Sequence, residues 1–228
     1  MSASAAPAAT APRYRPLGFG VTRGVLREGA NGVRYLEAET PLQPYNERIT
    51  DRLLHWAEVA PERTMIARRE RLADGSTGDW IRISYAQVLD KARRIGQALL
   101  DRGLSAERPV AILSENSLEH ALMVLGCLYA GVPHCSVSPP YSIVSQDYDK
   151  LRHVLATLTP GLVFAGDEAR YGRAIREAVP ADIEVVLIDG QVEGRRCTCF
   201  SDLLATEPTP AVDAAMRATG PDTITKFL

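Results

Sequence analysis

Four short apolar runs, at residues 109–114, 133–137, 161–165 and 184–188, are separated by segments of helical length. Runs this short suit strands buried on both faces, and strands that alternate with helices pair in parallel through β-α-β crossovers. The pattern therefore predicts an α/β fold: a parallel sheet with helices on both faces. In such sheets ligands sit beyond the carboxyl ends of the strands, which directs attention to the loops after Leu113, Val137, Ala165 and Ile188.

The intervening segments carry start and stop signals. Asn46 is placed to cap a helix whose apolar residues Ile49, Leu53, Trp56, Ala57 and Ala60 fall at three- and four-residue steps, with Pro61 ending it. Residues 64–69 and 80–84 read as a hairpin around the polar, Gly-containing turn 73–78. Ser84 and Gln87 have capping-box spacing, Val88, Ala92, Ile95 and Leu99 share one helical face, and Gly103 closes that helix. Asn116 and Glu119 repeat the spacing ahead of an apolar helix over 118–130, which stops at Gly131. Pro139 and Pro140 read as a break, 145–158 as a helix with Leu151, Leu155 and Leu158 inward, and 167–178 as a further helix. Residues 222–228 read as a strand with no turn or polar tail to close it, so a truncated chain is expected, against the alternative of a C-terminal edge strand.

Upstream of Tyr45 the pattern is loose. Residues 1–16 are rich in Ala, Ser and Pro and lack both early positive charge and a continuous apolar stretch. They do not resemble a secretory signal, and a flexible tail on a cytoplasmic protein is expected. Gly18, Gly20 and Gly24 miss the dinucleotide-binding spacing because Arg23 stands where the third glycine belongs; one short strand over 33–37 is expected instead. The expected organisation is thus a flexible tail and lead-in over 1–44 and a folded domain over 45–228.

Charge and composition exclude several classes. With 26 Lys+Arg against 28 Asp+Glu, a net charge of −2 and no basic block, the chain lacks the positive footprint of a phosphate-backbone binder, and no nucleic-acid partner is expected. Its best apolar stretch, 121–132, contains Gly126 and Gly131 and falls well short of the roughly 20 residues of a membrane helix, so no membrane span is expected. Cys127, Cys135, Cys197 and Cys199 are too few and too uneven for a disulfide framework and suit a reducing compartment.

Candidate chemistry is thin. Cys197 and Cys199 could offer two thiolates and His134–Cys135 two more ligands, but neither pair has the usual zinc spacing, and no metal is expected. There is no Gly-x-Ser-x-Gly elbow; Ser114 and Ser138 follow strands and read as turn or helix-entry residues. His55, His120 and His153 fall at helical positions, where satisfied or surface histidines are the ordinary case. A phosphate-cradling Gly-x-x-x-x-Gly-Lys-Ser/Thr loop is absent.

Two blocks nonetheless carry a resemblance: ISYAQVLDKARRIGQALLDRGL at 83–104 and PVAILSENSLEHALMVLGCLYAGVPHCSVSP at 109–139. They resemble the first conserved blocks of the adenylate-forming acyl-CoA synthetases, through Ser84-Tyr85, Gly103-Leu104, Asn116, Ala130-Gly131 and Pro139. The resemblance covers about 45–228, and residues 46–62 and 151–165 are similar to the feruloyl-CoA synthetase branch. It implies a Rossmann-like α/β subdomain that is the first part of the large domain of such an enzyme. The reaction implied is ATP-dependent: a carboxylic acid, here a hydroxycinnamate, becomes an acyl-adenylate with release of pyrophosphate, and coenzyme A then displaces AMP. The full-length enzyme would use ATP, Mg2+ and coenzyme A. The family's TSGSTGxPK phosphate loop has no match in this sequence, so no catalytic, cofactor-binding or metal residue is carried over. The fragment alone is expected to be inactive, to hold none of these cofactors and to be prone to self-association. A self-sufficient, non-catalytic α/β binding or remnant module is the alternative reading.

Overall fold

The computed structural model describes residues 23–228, in two compact units divided after Tyr45. The expected tail over 1–16 lies outside the described residues. In the first unit β1 (Gly24–Glu28) and β2 (Arg34–Ala38) form an antiparallel hairpin around Asn31, whose φ of 57° is left-handed. Only one strand had been expected here. The expected strand over 33–37 is β2; the unexpected one, β1, is exposed along its whole length and has no buried apolar face to announce it.

The second unit opens with α1 (Ile49–Val59), then the hairpin β3 (Thr64–Arg71) and β4 (Thr77–Ser84), then α2 (Tyr85–Asp101). The cap of α1 is Arg48 rather than Asn46: Asp51 Oδ2 accepts from the Arg48 N–H at 3.2 Å, so the acidic side chain of the first turn closes the end. At α2 the capping box is formed as expected, with Ser84 N–H donating to Gln87 Oε1 at 3.0 Å and Gln87 N–H to Ser84 Oγ at 3.4 Å. Gly103 follows with φ +64°.

A five-stranded parallel sheet is the centre of this unit. Its strands are β5 (Val110–Leu113), β6 (His134–Ser136), β7 (Leu162–Asp167), β8 (Glu184–Asp189) and β9 (Cys197–Cys199), ordered β6-β5-β7-β8-β9. The connecting helices are α3 (Leu118–Ala130), α4 (Pro140–Ile143), α5 (Asp149–Leu158), α6 (Glu168–Ala178), α7 (Phe200–Leu204) and α8 (Pro210–Ala218). Strand residues alternate between two cores. Val110, Ile112, Leu162, Phe164 and Val186 face a layer with α1, α2, α3, α7 and α8; Ala111, Leu113, Val163, Ala165, Val185 and Leu187 face α5 and α6. Helices thus cover both faces, and the predicted α/β class is the observed one.

Three boundaries differ from expectation. Helix α3 is capped by Ser117, whose Oγ accepts from the His120 N–H at 3.0 Å; Asn116 stands one residue too early. The Pro139–Pro140 break starts the short helix α4, because proline suits a first helical turn, and the next helix begins only at Asp149 after Tyr148 with φ 56°. Residues 222–228 form no strand: a single parallel bridge joins Lys226 to His134, with His134 N–H donating to the Thr225 carbonyl at 3.2 Å and Phe227 N–H to the His134 carbonyl at 2.9 Å. Strand β9 and helices α7 and α8 had no sequence signal strong enough to place them.

Polar ties hold α8 on the α2–α3 layer. Arg93 grips Asp213 through two bonds of 2.9 and 2.6 Å, and Tyr129 donates its hydroxyl to the same carboxylate at 2.8 Å. Arg93 keeps the Asp213 carboxyl below the ordinary aspartate range, while burial first, then Asp213, pushes the Tyr129 phenol up to about 12.

Candidate functional site

The chain reverses its direction of travel across the sheet between β5 and β7: β6 lies on one side of β5, while β7, β8 and β9 follow on the other. A crevice opens at the carboxyl ends of strands where the order reverses this way, because the two following connections leave toward opposite faces. Here those ends are Ser114–Glu115 after β5 and Gly166–Asp167 at the end of β7.

Each side chain at this rim is placed by a helix start. Asp167 caps α6 and accepts from the Arg170 N–H at 2.9 Å, which aims Arg170 across the crevice to an ion pair with Glu115. The guanidinium lowers the Glu115 carboxyl, and Glu115 raises Arg170 in return. Both groups are largely exposed, so the pair is a solvated latch worth at most about 1 kcal/mol. Beneath it, a Cβ on Gly166 would stand 2.9 Å from the Tyr171 ring, so only glycine lets the ring close the bottom of the crevice.

On the β6 side of the rim, the Ser117 cap turns α3 so that His120 lies across the ends of two strands. Its Nδ1 is 2.8 Å from Ser114 Oγ and its Nε2 is 3.3 Å from Ser136 Oγ. Burial depresses the His120 pKa and outweighs the opposing pull of the Glu115 and Ser114 carbonyls, so the imidazole is neutral near pH 7. Ser114 is buried at 5% exposure, whereas Ser136 is open to solvent. Sequence reasoning had Ser114 and His120 as separate, ordinary residues. Their six-residue spacing across a strand-to-helix turn could have joined them, but Ser136 is brought in only by the parallel pairing of β5 and β6. Ser138 is exposed beyond β6, His55 is exposed and edge-on to Trp56, and His153 is exposed on α5; none joins the cluster.

Two clefts flank the sheet. One of about 620 Å³ runs along the outer side of β6 and is lined by Ser136, Val137, Tyr141, His153, Val154 and Phe227. A larger one of about 740 Å³ lies at the amino ends of β8 and β9, away from the rim. Three of its arginines have internal partners: Arg102 is held by Glu184 at 3.0 Å, Arg176 by Glu168 at 3.4 Å, and Arg195 by the Val179 and Ile183 carbonyls at 2.8 and 2.7 Å.

The cysteines are all free thiols. Cys127 and Cys135 are buried and their thiols pushed up by desolvation, while Cys197 and Cys199 lie on β9. Among the described residues no set of three His, Cys, Asp or Glu side chains is arranged to hold a metal ion, and no helix is long and apolar enough to cross a membrane.

The family model of the AMP-binding enzymes matches residues 53–219. Luciferin 4-monooxygenase from Nipponoluciola cruciata is 27% identical over 133 residues, which is 58% of this chain and 23% of that protein. Bacitracin synthase 3 from Bacillus licheniformis is 23% identical over 130 residues, 54% of this chain and 2% of that protein. The chain therefore spans about a quarter or less of these relatives. Among solved structures, a benzoate CoA ligase from Burkholderia xenovorans LB400 superposes on 79% of this chain and 32% of its own, with a TM-score of 0.57 at 20% identity, a likeness of fold.

Proposed function

This chain belongs to the AMP-binding enzyme family, and from that premise we propose that it forms the first α/β layer of the large domain of an ATP-dependent acyl- or aryl-CoA ligase. In the reaction proposed for the whole enzyme, a carboxylate attacks the α-phosphate of ATP to give an acyl-adenylate and pyrophosphate. The sulfur of coenzyme A then displaces AMP to leave a thioester. A hydroxycinnamate such as ferulate is the proposed acid, on the similarity of residues 46–62 and 151–165 to the feruloyl-CoA synthetase branch. The cytoplasm is the proposed compartment, consistent with four free thiols.

The observation that carries the reading is the family match over 53–219, which coincides with the sheet and its covering helices. The residues present do not fit ATP or magnesium. The sequence has no Ser/Thr/Gly-rich loop ending in Pro-Lys, and among the described residues no set of three His, Cys, Asp or Glu side chains is arranged to hold a metal ion. No step is assigned to this chain's side chains on that account, and its proposed role is scaffold: capped helices and a parallel sheet whose rim meets the rest of the enzyme. The proposed organisation is a lead-in over 1–44 and the domain segment from 45 onward.

Reading the source DNA past the Leu228 codon tests this. The expected result is an open frame that reaches a Ser/Thr/Gly-rich loop ending in Pro-Lys, and a stop codon in its place overturns the ligase reading. With the product of that frame, pyrophosphate exchange into ATP is expected to depend on ferulate over benzoate and fatty acids, while the 228-residue chain alone shows none. Preference for another acid overturns the hydroxycinnamate assignment only.

A further inference from the structure

We propose that Ser136 is a base-activated nucleophile that takes acyl groups from activated esters, with His120 as its base and Ser114 as the residue that positions the base. The inference stands on the hydrogen-bond geometry at the β5–β6 rim and does not depend on the ligase reading.

The direction of the hydrogen-bond chain is set at its buried end. Ser114 Oγ lies 3.0 Å from the Glu115 carbonyl, which can only accept, so the Ser114 hydroxyl donates there. Its lone pairs then face His120 Nδ1 at 2.8 Å, and that nitrogen carries the proton. The unprotonated Nε2 is left toward Ser136 Oγ at 3.3 Å, as a base requires. The same logic that orients imidazoles in nucleophile-base-orienter triads applies, with a buried serine in the orienting place. The base is held by a capped helix start on one side and two strand ends on the other, so its ring has little freedom to turn away.

Ser136 is exposed at the end of β6, on the sheet face that carries Ile112 and α3, so an ester reaches its hydroxyl from solvent. In the step proposed, Ser136 Oγ attacks the ester carbonyl carbon and the new O–C bond forms. The bond to the leaving alkoxide breaks, and the hydroxyl proton passes to Nε2 and on to the departing oxygen. The neighbouring Val137 N–H is committed to the Ile112 carbonyl at 2.9 Å and is not free to stabilise an oxyanion. The reaction is therefore expected to be slow, with acylation and deacylation both unassisted at the oxyanion.

The test uses the 228-residue chain with p-nitrophenyl acetate at neutral pH, following p-nitrophenolate release and locating the acetyl group by peptide mass spectrometry. The expected result is stoichiometric acetylation of Ser136, lost in Ser136→Ala and slowed about 10²-fold in His120→Gln. Thioesters at the partly exposed Cys197 and Cys199 are distinguished by peptide position. In Ser114→Ala the rate is expected to fall about tenfold and the pH dependence of labelling to shift, a readout that a purely structural serine would not move. The groups near His120 that bear on that profile are His134 on β6 and Glu119 on its own helix, the latter 3.8 Å from Arg68 of β3. Absence of an acetyl group on Ser136 in the unsubstituted chain overturns the proposal, as does unchanged labelling in His120→Gln. If Ser114→Ala fails to fold, the other two variants decide the matter.

Discussion

At Gly126 a single methyl group has nowhere to go. A Cβ there would stand 2.4 Å from Ile95 Cγ2 and 2.7 Å from Ile95 Cβ, in the crossing of α2 and α3. Both helices are near the centre of the larger core and cannot separate without opening it. Gly126→Ala is expected to cost about 1–3 kcal/mol by overpacking, seen as a lower midpoint in urea with an unchanged slope. Histidines give the second residue-scale expectation. His120 and His134 both have pKa values lowered from 6.5 by burial, and Lys226 adds to the effect at His134. Their unfolded forms therefore bind protons more readily than the folded ones. Stability is then fully present above pH 6.5 and is lost as pH falls from there through the lower folded values. Thermal melts are expected to show that decline, and His134→Gln to flatten it. The sequence placed His120 on a helix, but its partial burial follows from the neighbouring strand ends and could not be read locally.

At the scale of single elements, caps decide where helices begin. Asn116 and Ser117 are both good capping residues, and spacing to Glu119 favoured the first. The structure uses Ser117, whose backbone is extended (φ −145°, ψ 171°) as a cap requires, while Asn116 lies in the bend before it. Ser117→Ala is therefore expected to cost about 1 kcal/mol in chemical denaturation, and Asn116→Ala less than about 0.5 kcal/mol. Helix α2 was legible to the residue at its start, since Ser84 and Gln87 serve each other and need no tertiary partner. Helix α8 was not legible. It is nine residues long and is held by Arg93, Tyr129 and Gln97, side chains that lie 80 or more residues away in sequence.

For the second unit as a whole, the exposed flank is the outer side of β6. Among the described residues it is met only by the bridge at Lys226, and Val144 and Ile224 are 65% and 53% exposed. A sheet edge beside an apolar groove is a template for pairing with another chain. The 228-residue chain is expected to self-associate in sedimentation velocity at micromolar concentration, and Ser138→Lys, which adds a charge beside the edge, to shift it toward monomer. A concentration-independent monomer would remove the expectation. Residues 222–228, expected to form a strand, bear on the same flank and form none: only Lys226 reaches register with β6, because pairing depends on how two distant segments come to lie side by side.

What the sequence determined by itself is whatever depends on near neighbours along the chain. The alternation of apolar runs sets an α/β sheet covered on both faces, because burial on both sides demands continuous apolar strands. The capping box at Ser84 and the left-handed glycine at position 131 set helix ends, because their partners are three to five residues away. Tertiary structure alone decided the strand order β6-β5-β7-β8-β9, the reversal point between β5 and β7, and the meeting of Ser136 with His120. Those depend on which strands lie side by side, a choice made by the packing of whole layers, and no local pattern of residues encodes it.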